Sequence, residues 1–183
     1  MAIIYDATLT PTKGELLTAW LDRQPWGGSG PVEQIGSYRF DDPDGEVGLE
    51  GFILRRDGRI LHVPVTYRGA PLPEAEESLV GTLDHSVLGE RWVYDALGDP
   101  LGREMVLRAL DGRQDQARLD MYTEDRQFIE TVENTVLVSA QPPSGELRDQ
   151  ELIAVHKPET EAPSAARSIV ASWPGGEGVL FHG

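Results

Sequence analysis

Glu46-Val47-Gly48-Leu49-Glu50-Gly51-Phe52-Ile53-Leu54-Arg55-Arg56, then Asp57-Gly58, then Arg59-Ile60-Leu61-His62-Val63-Pro64-Val65-Thr66-Tyr67, is two apolar runs hinged on an Asp-Gly pair. That dipeptide accepts the positive φ angles of a tight turn, and between alternating runs it is a strong hairpin signal. Val47, Leu49, Gly51 and Ile53 fall on one side of the first strand. On the return strand Ile60, His62 and Pro64 share one face, and Leu61, Val63 and Val65 the other. Pro64 cannot donate to a ladder, so it marks an edge, a bulge or a strand break. Arg55, Arg56 and Arg59 read as a solvated hairpin tip rather than a phosphate site.

The period-two pattern extends in both directions. Upstream, Val32 to Phe40 reads as a strand, closed by the turn cluster Asp41-Asp42-Pro43-Asp44-Gly45. Further upstream, Leu16, Leu17, Trp20 and Leu21 form one apolar helical face. Two starts compete for that helix: Thr10 capping with Pro11 behind it, or a capping box of Thr12 and Glu15. Pro25 and Gly27-Gly28-Ser29-Gly30 end it, and Ile3 and Ile4 suggest a short strand before it. Downstream, 78–83 and 91–94 read as strands about a turn at Gly89. Asp99-Pro100 caps a second helix closing near Gly112. Residues 111–127 read as loop or frayed helix. Segments 135–140, 151–156, 168–172 and 179–181 read as further strands, with loops at 141–145 and 158–166.

There is no βαβ alternation, so a parallel sheet does not fit. The order implies an α+β fold: a curved antiparallel sheet packed on one or two helices. No repeat or composition shift divides the chain, which reads as a single domain over 1–183.

The 183 residues carry a net charge of −15. Such a field repels nucleic-acid phosphates and anionic lipid, so neither nucleic acid nor membrane is an expected partner. No apolar run reaches the roughly 18 residues of a membrane span. No secretory signal is legible, and there is no cysteine, so the expectation is a cytoplasmic protein without disulfides or thiolate chemistry.

The four histidines, His62, His85, His156 and His182, have no metal-ligand spacing, and no metal or cofactor is expected. Asp84-His85-Ser86 lacks the glycines of a nucleophile elbow; side chains capping a turn explain it better. Gly27-Gly28-Ser29-Gly30 has no following lysine and reads as a linker. Acidic runs such as Asp41, Asp42 and Asp44 read as solvated surface. Among the aromatics, Trp20 reads as core, Trp26 as an exposed platform, and Trp92 and Tyr94 share one side of a strand. The stretch 81–100 concentrates polar and aromatic residues between a strand and a helix start, as a structural junction or a recognition surface would.

Several stretches resemble one family in order. These are Ala7-Thr8-Leu9-Thr10-Pro11-Thr12-Lys13 with Trp20-Leu21; Tyr38-Arg39-Phe40-Asp41-Asp42-Pro43; Pro64-Val65-Thr66-Tyr67-Arg68-Gly69-Ala70-Pro71-Leu72; His85-Ser86-Val87-Leu88-Gly89; and Arg91-Trp92-Val93-Tyr94-Asp95 with Asp99-Pro100. The ending, Val170-Ala171-Ser172-Trp173-Pro174 and Gly178-Val179-Leu180-Phe181, continues the likeness. Together they resemble the maltokinase N-terminal cap-like domain of actinobacterial proteins, in its stand-alone form. The resemblance implies a cystatin-like cap that precedes a kinase fold in maltokinase-like and glucosamine-kinase-like enzymes. This sequence holds no His-Gly-Asp type loop, no Asp-Phe-Gly-like motif and no phosphate-covering glycine loop, so no kinase chemistry transfers.

The expectation is therefore a non-catalytic accessory protein. It would bind a sugar kinase, a glycan-metabolising enzyme or a sugar-related ligand in glycogen, maltose or trehalose metabolism. Arg68, His85, Arg91, Trp92, Tyr94 and Asp95 are the expected contact surface, with no catalytic residue assigned. The alternatives are a small hydrolase or isomerase acting on a sugar phosphate, with His85 or His62 converging on carboxylates, and a structural homodimer.

Overall fold

A computed structural model describes residues 2–45, 47–141, 152–158 and 166–183. In chain order its elements are β1 Ala2–Tyr5, β2 Leu9–Thr10, α1 Lys13–Leu21, β3 Glu33–Asp41, β4 Gly48–Arg56, β5 Arg59–Arg68, a 3-10 turn Pro73–Ser78, β6 Leu79–His85, β7 Gly89–Asp95, α2 Pro100–Leu110, β8 Leu119–Tyr122, β9 Phe128–Val132, β10 Leu137–Gln141, β11 Ile153–Ala154, β12 Ser168–Trp173 and β13 Gly176–His182. The central sheet runs β2-β6-β7-β5-β4-β3, with every pair antiparallel. A second sheet runs β10-β12-β13-β11, and a small third one β1-β8-β9. The one parallel pair among the described residues joins β1 to β8.

The β4–β5 hairpin is the spine of the central sheet. Its turn falls at Asp57-Gly58, both at positive φ. The register pairs Gly51 with Pro64 and Ile53 with His62. Every residue of β4 from Gly48 to Leu54 is buried, because both faces of the sheet are covered. On one face Phe52, Leu54, Leu61, Val63 and Val65 pack under Leu16, Leu17, Trp20 and Leu21 of α1. On the other, Leu49, Ile53, Tyr38 and Phe40 meet Met105, Val106 and Ala109 of α2 and Ile169, Leu180 and Phe181 of the second sheet. Each fully buried leucine contributes about 1.5–3 kcal/mol. A strand covered on both faces carries apolar residues in both registers. The sequence reading gave only one of the two.

Thr12 wins as the cap of α1. Its hydroxyl accepts from the Glu15 N–H at 3.2 Å, and the Glu15 carboxylate accepts from the Thr12 N–H at 2.9 Å, both halves of the capping box. Pro64 does not break β5. β7 lies beside β5 only from Val65 to Arg68. At Pro64 that flank has run out, and only its carbonyl is used, accepting from the Ala96 N–H at 3.1 Å.

Three expectations are corrected. Residues 111–127 hold strand β8, which the polarity of the region hides, and β9 follows it. The hairpin arginines are not all solvated: Arg56 is 3% exposed, donates to the Gly30 and Gly27 carbonyls and pairs with Asp22. Trp26 is not a free platform, since His156 stacks on it at 3.9 Å and 8°. Of the strand expected at 151–156 the structure forms Ile153–Ala154, while Glu151 and the loops over 142–145 and 159–165 lie outside the described residues.

Candidate functional site

Alternation along β7 sends the six candidate residues to two faces of the central sheet. Trp92 and Tyr94 pair with Arg68 and Thr66 on β5, and this side faces α2. Arg91 stands beside Leu83 of β6, and His85 lies two residues further along that strand; this side faces α1. Asp95 sits where β7 turns toward α2. The structure gathers Arg68, Trp92 and Tyr94, and it separates them from Arg91 and His85.

On the α2 side the residues build a closed junction. Arg68 donates to Asp99 through Nε at 2.7 Å and Nη2 at 2.6 Å, the two-pronged geometry that guanidinium favours. Thr66 donates to the same carboxylate at 2.7 Å. Asp99 is fully buried and caps α2, accepting from the Leu101 N–H at 2.9 Å. Burial alone would raise its carboxyl, but the Arg68 and Thr66 hydrogen bonds outweigh burial and hold it below the usual range. The Tyr94 hydroxyl accepts from the Leu72 N–H at 2.7 Å. Asp95 accepts from the Leu97 N–H at 3.0 Å, and burial raises its carboxyl above the ordinary value. Trp92 remains half-buried beside exposed Thr82.

On the α1 side, Lys13 bonds Glu50 at 2.7 Å and lies over the Tyr67 ring at 5.5 Å from its centroid. Tyr67 donates to Glu50 at 3.0 Å. Burial pulls Glu50 upward, and Lys13 more than offsets it. His85 Nδ1 accepts from the Val87 and Leu88 N–H groups, both at 3.2 Å. Burial, then the charges of Arg91 and Lys13, push its pKa down. Ser86 accepts from the Thr8 N–H at 3.1 Å and donates to Glu124 at 2.6 Å. His85 and Ser86 therefore act as turn-holding groups, each bonded away from the other. Arg91 donates to the Leu88 carbonyl.

His62 is fully buried on the α2 side. The Val155 carbonyl at 3.2 Å can only accept, so Nδ1 carries the proton; Nε2 then accepts from the Tyr38 hydroxyl at 2.8 Å. Burial first, and the neighbouring His156 second, drop its pKa to about 3. It is a neutral tether for the segment carrying Val155 and His156, and it faces away from His85. The acid–base convergence that a hydrolase or isomerase needs is not assembled by this pair. Among the described residues no group of three or more His, Asp and Glu side chains could hold a metal ion, and no helix is long and apolar enough to cross a membrane.

Sequence reasoning missed Asp99 as the hub of the junction, along with Thr66, Glu50 and Tyr38. Asp99 was legible as a helix cap, but its bond to Arg68 spans 31 residues and has no local signature.

The polar side chains of this helix-backed antiparallel sheet fasten its own elements to one another. The family model for the maltokinase N-terminal cap domain matches residues 20–99, from the end of α1 through β7 to the cap of α2. That stretch is similar to the maltokinase cap domain. Residues 100–183, with α2 and β8 to β13, lie outside the match. No curated protein and no solved structure matches the chain.

Proposed function

We propose that the chain is a non-catalytic, cap-like accessory unit. It folds as a single domain over 1–183 with a cystatin-like helix on a curved sheet, and it docks onto a kinase-type enzyme of glycogen, maltose or trehalose metabolism. The observation that carries this reading is the match of residues 20–99 to the maltokinase cap domain. The internal engagement of His62, His85, Asp95 and Asp99 supports it, because groups tied to their own backbone are not free for proton transfer.

The docking face is the α2 side of β7, where Trp92 and Thr82 stand side by side and Arg68 forms the rim. Tyr94 positions that face from beneath, and Asp95 holds the turn that follows it. The test is biosensor binding of the purified chain to a maltokinase-type enzyme from the same source. Trp92→Ala and Thr82→Arg weaken capture while melting stays cooperative. Unchanged capture in both variants removes the face, and nucleotide turnover by the chain alone removes the non-catalytic assignment.

A further inference from the structure

The third sheet, β1-β8-β9, ends on β9, and among the described residues no strand lies beyond it. β9 is fixed from its inner side. Thr131 donates to Asp120 of β8 at 2.7 Å. The turn before it is closed by the Thr123 N–H on the Gln127 carbonyl at 2.8 Å and the Gln127 N–H on the Thr123 hydroxyl at 3.0 Å. The strand is nonetheless exposed from Phe128 to Thr131, with Phe128 57% and Ile129 42% accessible. A fixed edge with an open row of backbone donors and acceptors is a template for one more strand.

The two faces of this edge differ. A bulge at Ile129 interrupts the register, so that Phe128 pairs with Tyr122 and Glu130 with Met121, on opposite faces of the sheet. On the first face Tyr5, Tyr122 and Phe128 form an aromatic row across all three strands, with ring centroids 6.5 Å and 5.7 Å apart, and the row stops at the open edge. On the second face the exposed side chain at the edge is a carboxylate, Glu130.

Charge decides which strand fits. Glu124, Asp125, Glu130 and Glu133 are exposed along 124–133 against one cation, Arg126, in a chain of charge −15. A second copy paired on this edge brings these carboxylates toward their own counterparts, and like charges facing each other across strands destabilise the pair. A purely apolar strand would gain from Phe128 but take Glu130 out of water without a counter-charge. A cationic strand meets complementary charge on arrival.

We infer that the outer edge of β9 accepts an extended basic segment of a partner protein as an added strand. Its lysine or arginine side chains alternate with apolar ones, the cations lying on the Glu130 face and the apolar groups extending the Tyr5-Tyr122-Phe128 row. β9 lies outside the 20–99 match and apart from the Trp92 face, so the inference does not rest on the docking reading.

The test is fluorescence anisotropy of the full chain, at about 0.15 M salt to screen distant charge, with a labelled octapeptide alternating arginine and valine. Amide hydrogen exchange accompanies it. The expected result is saturable binding with slowed exchange across 128–132, and no binding of the matching glutamate–valine peptide. Glu130→Arg weakens capture at least about fivefold, the scale on which opposed like charges lose what opposite charges gain. Glu77→Arg, the same charge change on the exposed 3-10 turn, shifts it by less than about twofold. Phe128→Ser weakens it while melting stays cooperative. Equal losses in Glu130→Arg and Glu77→Arg, unchanged exchange across β9, preference for the glutamate peptide, or pairing of two copies of the chain through β9 would each overturn the inference.

Discussion

The two ends of α2 handle an arginine in opposite ways. At the N-terminal end, Asp99 accepts from Thr66, from two nitrogens of Arg68 and from the Leu101 N–H, and nothing is left over. At the C-terminal end, Arg108 bonds Gln114 and Glu104, but its buried Nη2 makes no hydrogen bond and has only the longer ion pair with Asp42 at 3.8 Å. One end is saturated and closed, the other incompletely bonded and beside an open cleft lined by Asp41, Arg108 and residues 113–117. Buried polar groups stabilise most when their bonding is complete, so the first end carries the larger share of the stability.

The sharpest way to break this contrast is Asp99→Ala. It removes the cap and strands a partly buried Arg68, and loss of one member of such a pair costs about 3–5 kcal/mol. Urea unfolding measures it. A loss below about 1 kcal/mol would mean that the closed end is not a stability device.

The rule of complete bonding extends to His62, which lies on the same side of the sheet and is neutral when folded. Its folded pKa is about 3 against an ordinary 6.5, so below pH 6.5 the unfolded chain binds a proton that the folded chain refuses. Stability therefore falls as pH drops from 6.5 toward 3, by about 2 kcal/mol at pH 5. Between pH 7 and pH 5 Asp99 adds little to this loss; its contribution fades only as pH falls through the ordinary carboxylate value toward its depressed folded one. Unfolding at pH 7 and pH 5, in the native chain and in His62→Gln, isolates the effect, and an equal drop in both would assign it elsewhere.

Trp92→Ala sits between the extremes. A half-buried tryptophan forfeits less than the fully buried case, about 1–2 kcal/mol, with no shift in the pH dependence. A much larger loss of melting stability would make Trp92 a buttress of the closed end rather than part of a contact face.

What the sequence disclosed follows the same division. The hairpin at Asp57-Gly58, the Thr12 box and the Asp99-Pro100 cap are local signals, and each stands where periodicity and capping rules put it. Trp92 and Tyr94 were picked from one polar, aromatic stretch and Arg68 from the strand before it, and strand pairing brings the three to one face. The same alternation carries Arg91 and His85 to the other, which composition alone could not separate. β8 and the cleft were hidden for another reason. Leu119-Asp120-Met121-Tyr122 pairs with β1 across more than a hundred residues, and the cleft depends on Gln114 and Gln116 reaching the Asp41 and Val136 carbonyls, a role no local pattern marks.

The smallest expected effect is at the open end, and it is the most diagnostic. Asp115→Ala removes a carboxylate that bonds nothing described in the fold, so unfolding free energy should move by no more than about 0.5 kcal/mol. Arg113, at the mouth of the cleft, is already tied to Asp111 at 2.8 Å and should not respond. If Asp115→Ala instead costs as much as Trp92→Ala, Asp115 is a structural partner of Arg108 and the open end is as saturated as the closed one.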